Sequence, residues 1–305
     1  MPSLRNLPAR PRLAGVVAAT AATVLGIAMM AAAGAPPAFA IINMAALVIG
    51  IALLALMLRA RLGSIPPDGA VILAAAAGLL ATAVAGVAID GAARWVRVGV
   101  VSLQPGVVLL PVMIIAYARQ PSRVATLGMI IAALALALQP DRAMAGTLLA
   151  GLLVVAMRQR GVGVVTALAA AMIGFVVTLL RPDDLPATPF VERVVADAFT
   201  RSAVAGGALV AGVALLLLPA CNRGEPARVF AAVWLAIFLA AMVGNYPTPL
   251  LGYGGSGIIG YLISLAALPA HARPAPVDRG GAGLDAPGTQ RRNDHRLPAM
   301  AAPRR

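Results

Sequence analysis

Continuous apolar runs follow one another along nearly the whole chain. They fall at about residues 13–33, 41–58, 70–88, 103–118, 124–138, 143–157, 163–180, 202–219, 229–243 and 255–270. One buried globular core cannot absorb that much apolar surface. Hydrophobic residues make up 61% of the chain and charged residues only 11%, against about 25% charged residues in soluble domains. The runs are unbroken and rich in Ala, Leu and Val, where barrel strands would alternate. The expectation is an all-α polytopic membrane protein with about ten transmembrane helices. The first run follows a basic segment (Arg5, Arg10, Arg12), and Ala38-Phe39-Ala40 resembles a signal-peptide cleavage site. That run exceeds the h-region of about 7–15 residues and further runs follow, so it reads as a retained first span.

The basic residues test this count. All 24 are arginine. With a cytoplasmic N-terminus, the inner side carries Arg5, Arg10, Arg12, Arg59, Arg61, Arg119, Arg123, Arg158, Arg160, Arg223 and Arg228, and the tail adds seven more. The outer loops carry Arg94, Arg97, Arg142, Arg181, Arg193 and Arg201, a division of 18 (11 + 7) to 6. This is the positive-inside bias, and it accounts for the net charge of +13 without nucleic acid. Both termini are expected in the cytoplasm. Residues 1–13 form a cytoplasmic segment, 14–271 the transmembrane domain, and 272–305 a basic, Pro- and Gly-rich tail without apolar periodicity, expected to be disordered.

Several chemistries are excluded. Without lysine there is no Schiff base. The single cysteine, Cys221, forms no intrachain disulfide and no cysteine metal cluster. The two histidines, His271 and His295, lie near or in the tail, away from any triad or zinc site among the spans. No metal site and no organic cofactor are expected, and divalent-cation assistance is left open.

Polar chemistry is expected between the spans. The stretch Arg181–Arg201 holds four of the eleven carboxylates: Asp183, Asp184, Glu192 and Asp197. Three further polar stretches share its side: Asp90–Pro105, Gln139–Arg142 and Tyr246–Gly257. Each has a structural explanation. Trp95 suits an interfacial anchor, Gln-Pro and Gly-Gly pairs suit turns, and an aspartate suits a helix cap. Together they gather carboxylates, arginines and glycines on one face. That set suits a diphosphate-bearing substrate, with arginine on phosphate and a carboxylate as base.

Four of these segments resemble motifs of the SEDS (shape, elongation, division and sporulation) family, which includes FtsW, RodA and SpoVE. DGAARWVRVGVVSLQP at 90–105 resembles "NGARRWI-x-LG…QPSE". LQPD at 138–141 resembles "QPDLGTA", and PLLGYGGSG at 249–257 resembles "PFVSYGGSS". Asp197-Ala198-Phe199 sits where the family has "HTDFIFA". The matches come in family order. The resemblance implies a peptidoglycan glycosyltransferase that polymerises lipid II outside the bacterial cytoplasmic membrane, in division or elongation. A class B penicillin-binding protein and other cell-wall or divisome proteins would be its partners. It implies Asp197 as the base and Arg94 on the diphosphate. Trp95, Gln104, Gln139, Asp141, Tyr253, Gly254, Gly255 and Ser256 become substrate-binding candidates.

The sequence departs from the family at named positions. "QPSE" is Gln104-Pro105-Gly106-Val107, "HTD" is Val195-Ala196-Asp197, and the acidic pair after the aspartate is Gly206-Gly207. The long outer loop before the aspartate shrinks to about twenty residues. Two alternatives therefore stay open: a non-catalytic SEDS-like scaffold or regulator, and a lipid II transporter or flippase.

Overall fold

Prolines and short polar residues decide where the helices start. Pro11, Pro37 and Pro105 open helices α1 (Pro11–Ala32), α2 (Pro37–Arg59) and α4 (Pro105–Arg119), where a missing N–H costs nothing. Side-chain oxygens of Ser122, Asp141 and Ser202 cap α5 (Arg123–Leu138), α6 (Arg142–Ala156) and α9 (Ala203–Leu216), accepting from Ala125, Met144 and Ala205 N–H. The remaining helices are α3 (Ala70–Ala85), α7 (Val162–Leu179), the short α8 (Val194–Arg201), α10 (Glu225–Val243) and α11 (Gly255–Ser264). This computed structural model describes residues 10–60, 69–89, 91–99, 101–182, 186–222 and 224–271. The expectations for residues 1–9, for Asp90, Asp183 and Asp184, and for the tail from Ala272 lie outside the described residues.

Among the described residues, ten apolar helices correspond one to one with the ten apolar runs, and α8 is an addition before α9. Four of them (α1, α2, α7 and α10) are long and apolar enough to cross a membrane by themselves, and six are apolar helices of 10–17 residues. At about 1.5 Å per residue the shorter ones fall below a hydrocarbon core about 30 Å thick. Neighbouring helices and local bilayer thinning accommodate such lengths. Large apolar side chains point outward from the bundle, such as Ile41, Val48 and Leu56 on α2 and Val165, Ile173 and Val176 on α7. The interior holds Trp234, Tyr117, Tyr261 and Phe230, all fully buried. The chain is thus an all-α polytopic membrane protein.

One expectation needs correction. The third run does not continue as helix to residue 88. Helix α3 stops at Ala85, and Gly86 leaves in extended conformation. Residues 87–103 then form a small antiparallel sheet of β1 (Val87–Ile89), β2 (Ala92–Val98) and β3 (Val101–Leu103), in that order. Val87 pairs Trp95, and Arg97 pairs Ser102. Both turns need positive φ, supplied by Gly91 at +81° and Gly99 at +60°.

Glycine lets two crossings close tightly. A Cβ on Gly260 of α11 would lie 2.2 Å from the carbonyl oxygen of Val107 on α4, and one on Gly26 of α1 would lie 2.5 Å from that of Leu251. The first is a helix–helix approach of the kind by which helices associate in lipid, and the second seats the α10–α11 loop on α1.

The helices alternate in direction, so the loops sort to two ends. One end holds the sheet, the α5–α6 turn, the segment before α9 and the α10–α11 loop. At the other end Arg12 donates to the carbonyls of Ala266 and Leu268, and Arg119 to that of Ala267. Gln159 there bridges the Ala118 carbonyl and the Glu225 carboxylate.

Candidate functional site

At the first end three segments enclose a cavity of about 370 Å³. One wall is the sheet and the start of α4 (Trp95, Ser102, Gln104). The second is the loop before α8 (Thr188, Glu192). The third is the α10–α11 loop with the first turn of α11 (Thr248, Tyr253, Gly254, Ser256).

Backbone pairing holds the second and third walls together. Glu192 and Pro247 form an antiparallel bridge. Thr248 N–H donates to Val191 O at 2.9 Å, and Tyr253 N–H to Phe190 O at 2.7 Å. Asn43 of α2 clamps the turn from beneath: its Nδ2 donates to Gly252 O at 2.9 Å and its Oδ1 accepts from Gly254 N–H at 3.1 Å. Tyr253 stacks on Phe39 with centroids 3.9 Å apart and planes 14° apart. The first wall joins the third where Gln104 N–H donates to Ser256 Oγ at 2.9 Å.

A buried polar chain lies behind the first wall. Gln104 Nε2 donates to Asp141 Oδ2 at 3.1 Å, and Asp141 Oδ1 accepts from Met144 N–H at 3.0 Å, capping α6. Gln139 Nε2 donates to the Leu79 carbonyl at 2.7 Å. Arg94 donates to the carbonyls of Gln139 and Pro140, and its Cζ sits 5.7 Å from the centre of the Tyr246 ring.

These contacts sort the predicted residues. Trp95, Gln104, Tyr253, Gly254 and Ser256 line the cavity. Gly255 lies in the same turn, where a Cβ would meet Ala46 at 3.0 Å. Arg94, Gln139 and Asp141 do not reach it. They are 2%, 1% and 0% exposed and lie behind the first wall. The Arg94 guanidinium is turned onto backbone carbonyls, so it braces the loops and does not present its donors to a diphosphate.

Asp197 is elsewhere. It lies on α8, exposed, in a smaller groove of about 160 Å³ that includes Met29, Met30, Phe190, Arg201 and Leu209. Its carboxylate has no hydrogen-bond partner among the described residues.

The carboxylate that does face the larger cavity is Glu192. It is the one acidic residue among the described lining residues. Its Oε2 accepts from Thr188 N–H at 2.5 Å. Burial pushes its carboxyl above the ordinary glutamate range, with Thr188 pulling partly back. The sequence places Glu192 in the polar stretch Arg181–Arg201 without singling it out. Asn43 was missed altogether, although an isolated amide in an apolar run is a signal by itself. Among the described residues no group of three or more His, Cys, Asp or Glu side chains could hold a metal ion.

The ten-helix bundle with its polar end loops has the fold of a known class of membrane protein, the one built like RodA. The crystal structure of the rod shape determining protein RodA of Thermus thermophilus matches with a TM-score of 0.62 and 22% identity, over 83% of this chain and 94% of that one. An aspartate-to-alanine variant of the same protein matches at 0.61 and 23%, over 83% and 95%. A chain from a peptidoglycan synthase complex, solved to describe how polymerisation and crosslinking are coordinated, matches at 0.55 and 21%, over 83% and 95%. No family model and no curated protein matches the sequence. RodA belongs to the SEDS family that the motifs resemble, so the resemblance holds at the level of the fold.

Proposed function

We propose that this protein is a shortened SEDS-type glycosyltransferase. It polymerises lipid II at the outer face of the bacterial cytoplasmic membrane, together with a class B penicillin-binding protein. The observation that carries this reading is the convergence, on a RodA fold, of the Trp95–Gln104 and Tyr253–Ser256 motifs on one cavity. In the reaction an acceptor sugar hydroxyl attacks the anomeric carbon of the donor. The carbon–oxygen bond to the diphosphate breaks, undecaprenyl diphosphate leaves with the electron pair, and the hydroxyl proton passes to a carboxylate. Asp197 takes that role by its place in the family motif.

Purified protein, alone and with the penicillin-binding partner, is expected to convert lipid II to glycan strands, and Asp197→Asn to reduce the rate at least a hundredfold, the scale of lost base catalysis at about 10²–10⁴. Equal product from both would refute the catalytic assignment.

A second reading is a scaffold of cell-wall synthesis without catalysis. The burial of Arg94 and the position of Asp197 outside the larger cavity favour it. It predicts that Asp197→Ala still rescues growth of a deletion strain.

A further inference from the structure

The larger cavity has a chemical character of its own. Among its described lining residues there is no arginine, one carboxylate (Glu192), one amide (Gln104), the hydroxyls of Ser102, Thr188, Thr248 and Ser256, and the rings of Trp95 and Tyr253. A diphosphate needs cations or several free N–H groups. The first turn of α11 offers backbone dipole, but the Glu192 charge on the facing wall opposes an anion at close range. A carboxylate, an amide and hydroxyls beside an aromatic face suit a different group. They exchange hydrogen bonds with the hydroxyls of a pyranose, while its apolar face packs on an indole. At about 370 Å³ the space lies at the small end of ligand pockets, about 300–1,000 Å³. It is large enough to admit sugar rings.

Glu192 is placed to accept such a bond. It is half-buried, it meets no arginine among the described residues, and the pairing of its loop with residues 247–253 fixes its position. We propose that this cavity binds a neutral, hydroxyl-rich sugar ring, with Trp95 beneath it and Glu192 accepting from one of its hydroxyls. The diphosphate of a lipid-linked substrate then lies outside the cavity. That sugar's place in a polymerisation cycle rests on the function proposed above; its binding does not.

The chain has two tryptophans, Trp95 on the cavity wall and the fully buried Trp234. Tryptophan emission therefore reports on the cavity. Full-length protein in detergent is titrated with an N-acetylglucosamine trimer and, separately, with inorganic diphosphate. The trimer is expected to give a saturable change, lost in Trp95→Phe and shifted about tenfold weaker in Glu192→Gln, the scale of a lost charge-assisted hydrogen bond. Ser102→Ala, on the opposite wall, serves as a milder second variant with an expected loss of about threefold. Diphosphate is expected to give no saturable change. A flat trimer titration, unaltered affinity in both Glu192→Gln and Ser102→Ala, or saturable binding of diphosphate would each overturn the proposal. Trimer binding by a protein that does not polymerise lipid II would keep the cavity assignment and refute the enzymatic reading.

Discussion

Glu192 shows how one side chain can carry a cost of folding. Its unfolded carboxyl titrates near 4.5, and burial raises the folded value. Below the unfolded value both states are protonated and burial costs no charge. As pH rises from there through the folded value, the unfolded chain has already released its proton, so it holds fewer protons and stability falls. Above the folded value the loss is complete and constant. Glu192→Gln removes the titration and keeps an acceptor for Thr188 N–H. Its melting temperature in detergent should exceed that of the wild type at pH 7.5, and the gap should close near pH 4. A gap independent of pH would contradict this. Arg94 marks the limit of sequence reading at this scale. A guanidinium aimed at phosphate and one aimed at buried carbonyls use the same donors, and the motif around them reads the same. Only the fold shows that Gln139 and Pro140 occupy it.

Among the elements, the ten apolar helices were legible because each is one unbroken apolar run, and the proline and Ser/Asp starts of several are local signals. The sheet at 87–103 was less visible. Its Val-rich strands are apolar enough to pass for helix ends, yet Asp90-Gly91 is a hairpin turn signal, and weighting it would have found β1 and β2. Helix α8 was hidden for another reason: eight residues carry too few turns of periodicity to stand out. Crossings are set by glycine. Gly260→Leu should destabilise the bundle by about 1–3 kcal/mol, because the new side chain meets the Val107 backbone, which cannot turn away. Gly207 on α9 has nothing within 4 Å of its would-be Cβ. Gly207→Ala should instead leave stability unchanged or raise it by up to about 1 kcal/mol. Thermal unfolding of the two variants side by side separates tight crossing from simple helix propensity. Equal losses in both would contradict the role given to Gly260.

At the scale of the whole molecule, the ends of the bundle differ in charge. Among the described residues the cavity end carries Arg94, Arg97, Arg142, Arg181, Arg193 and Arg201, and the far end Arg10, Arg12, Arg59, Arg119, Arg123, Arg158, Arg160 and Arg228. Of the six at the cavity end, Arg94, Arg142 and Arg181 are tied to backbone carbonyls. Positive charge favours the cytoplasmic side, so the cavity is predicted to face away from the cytoplasm, the side on which the proposed polymerisation would take place. The chain carries its own control for this. Its single cysteine, Cys221, is exposed and closes the turn after α9, at the far end, while Ala196 is exposed on α8, at the cavity end. The decisive measurement is labelling of intact bacterial cells with a membrane-impermeant thiol reagent. Wild-type protein should stay unlabelled until the membrane is opened, and Ala196→Cys in a Cys221→Ser background should label at once. Labelling of Cys221 from outside, or of Ala196→Cys only after permeabilisation, would contradict the account.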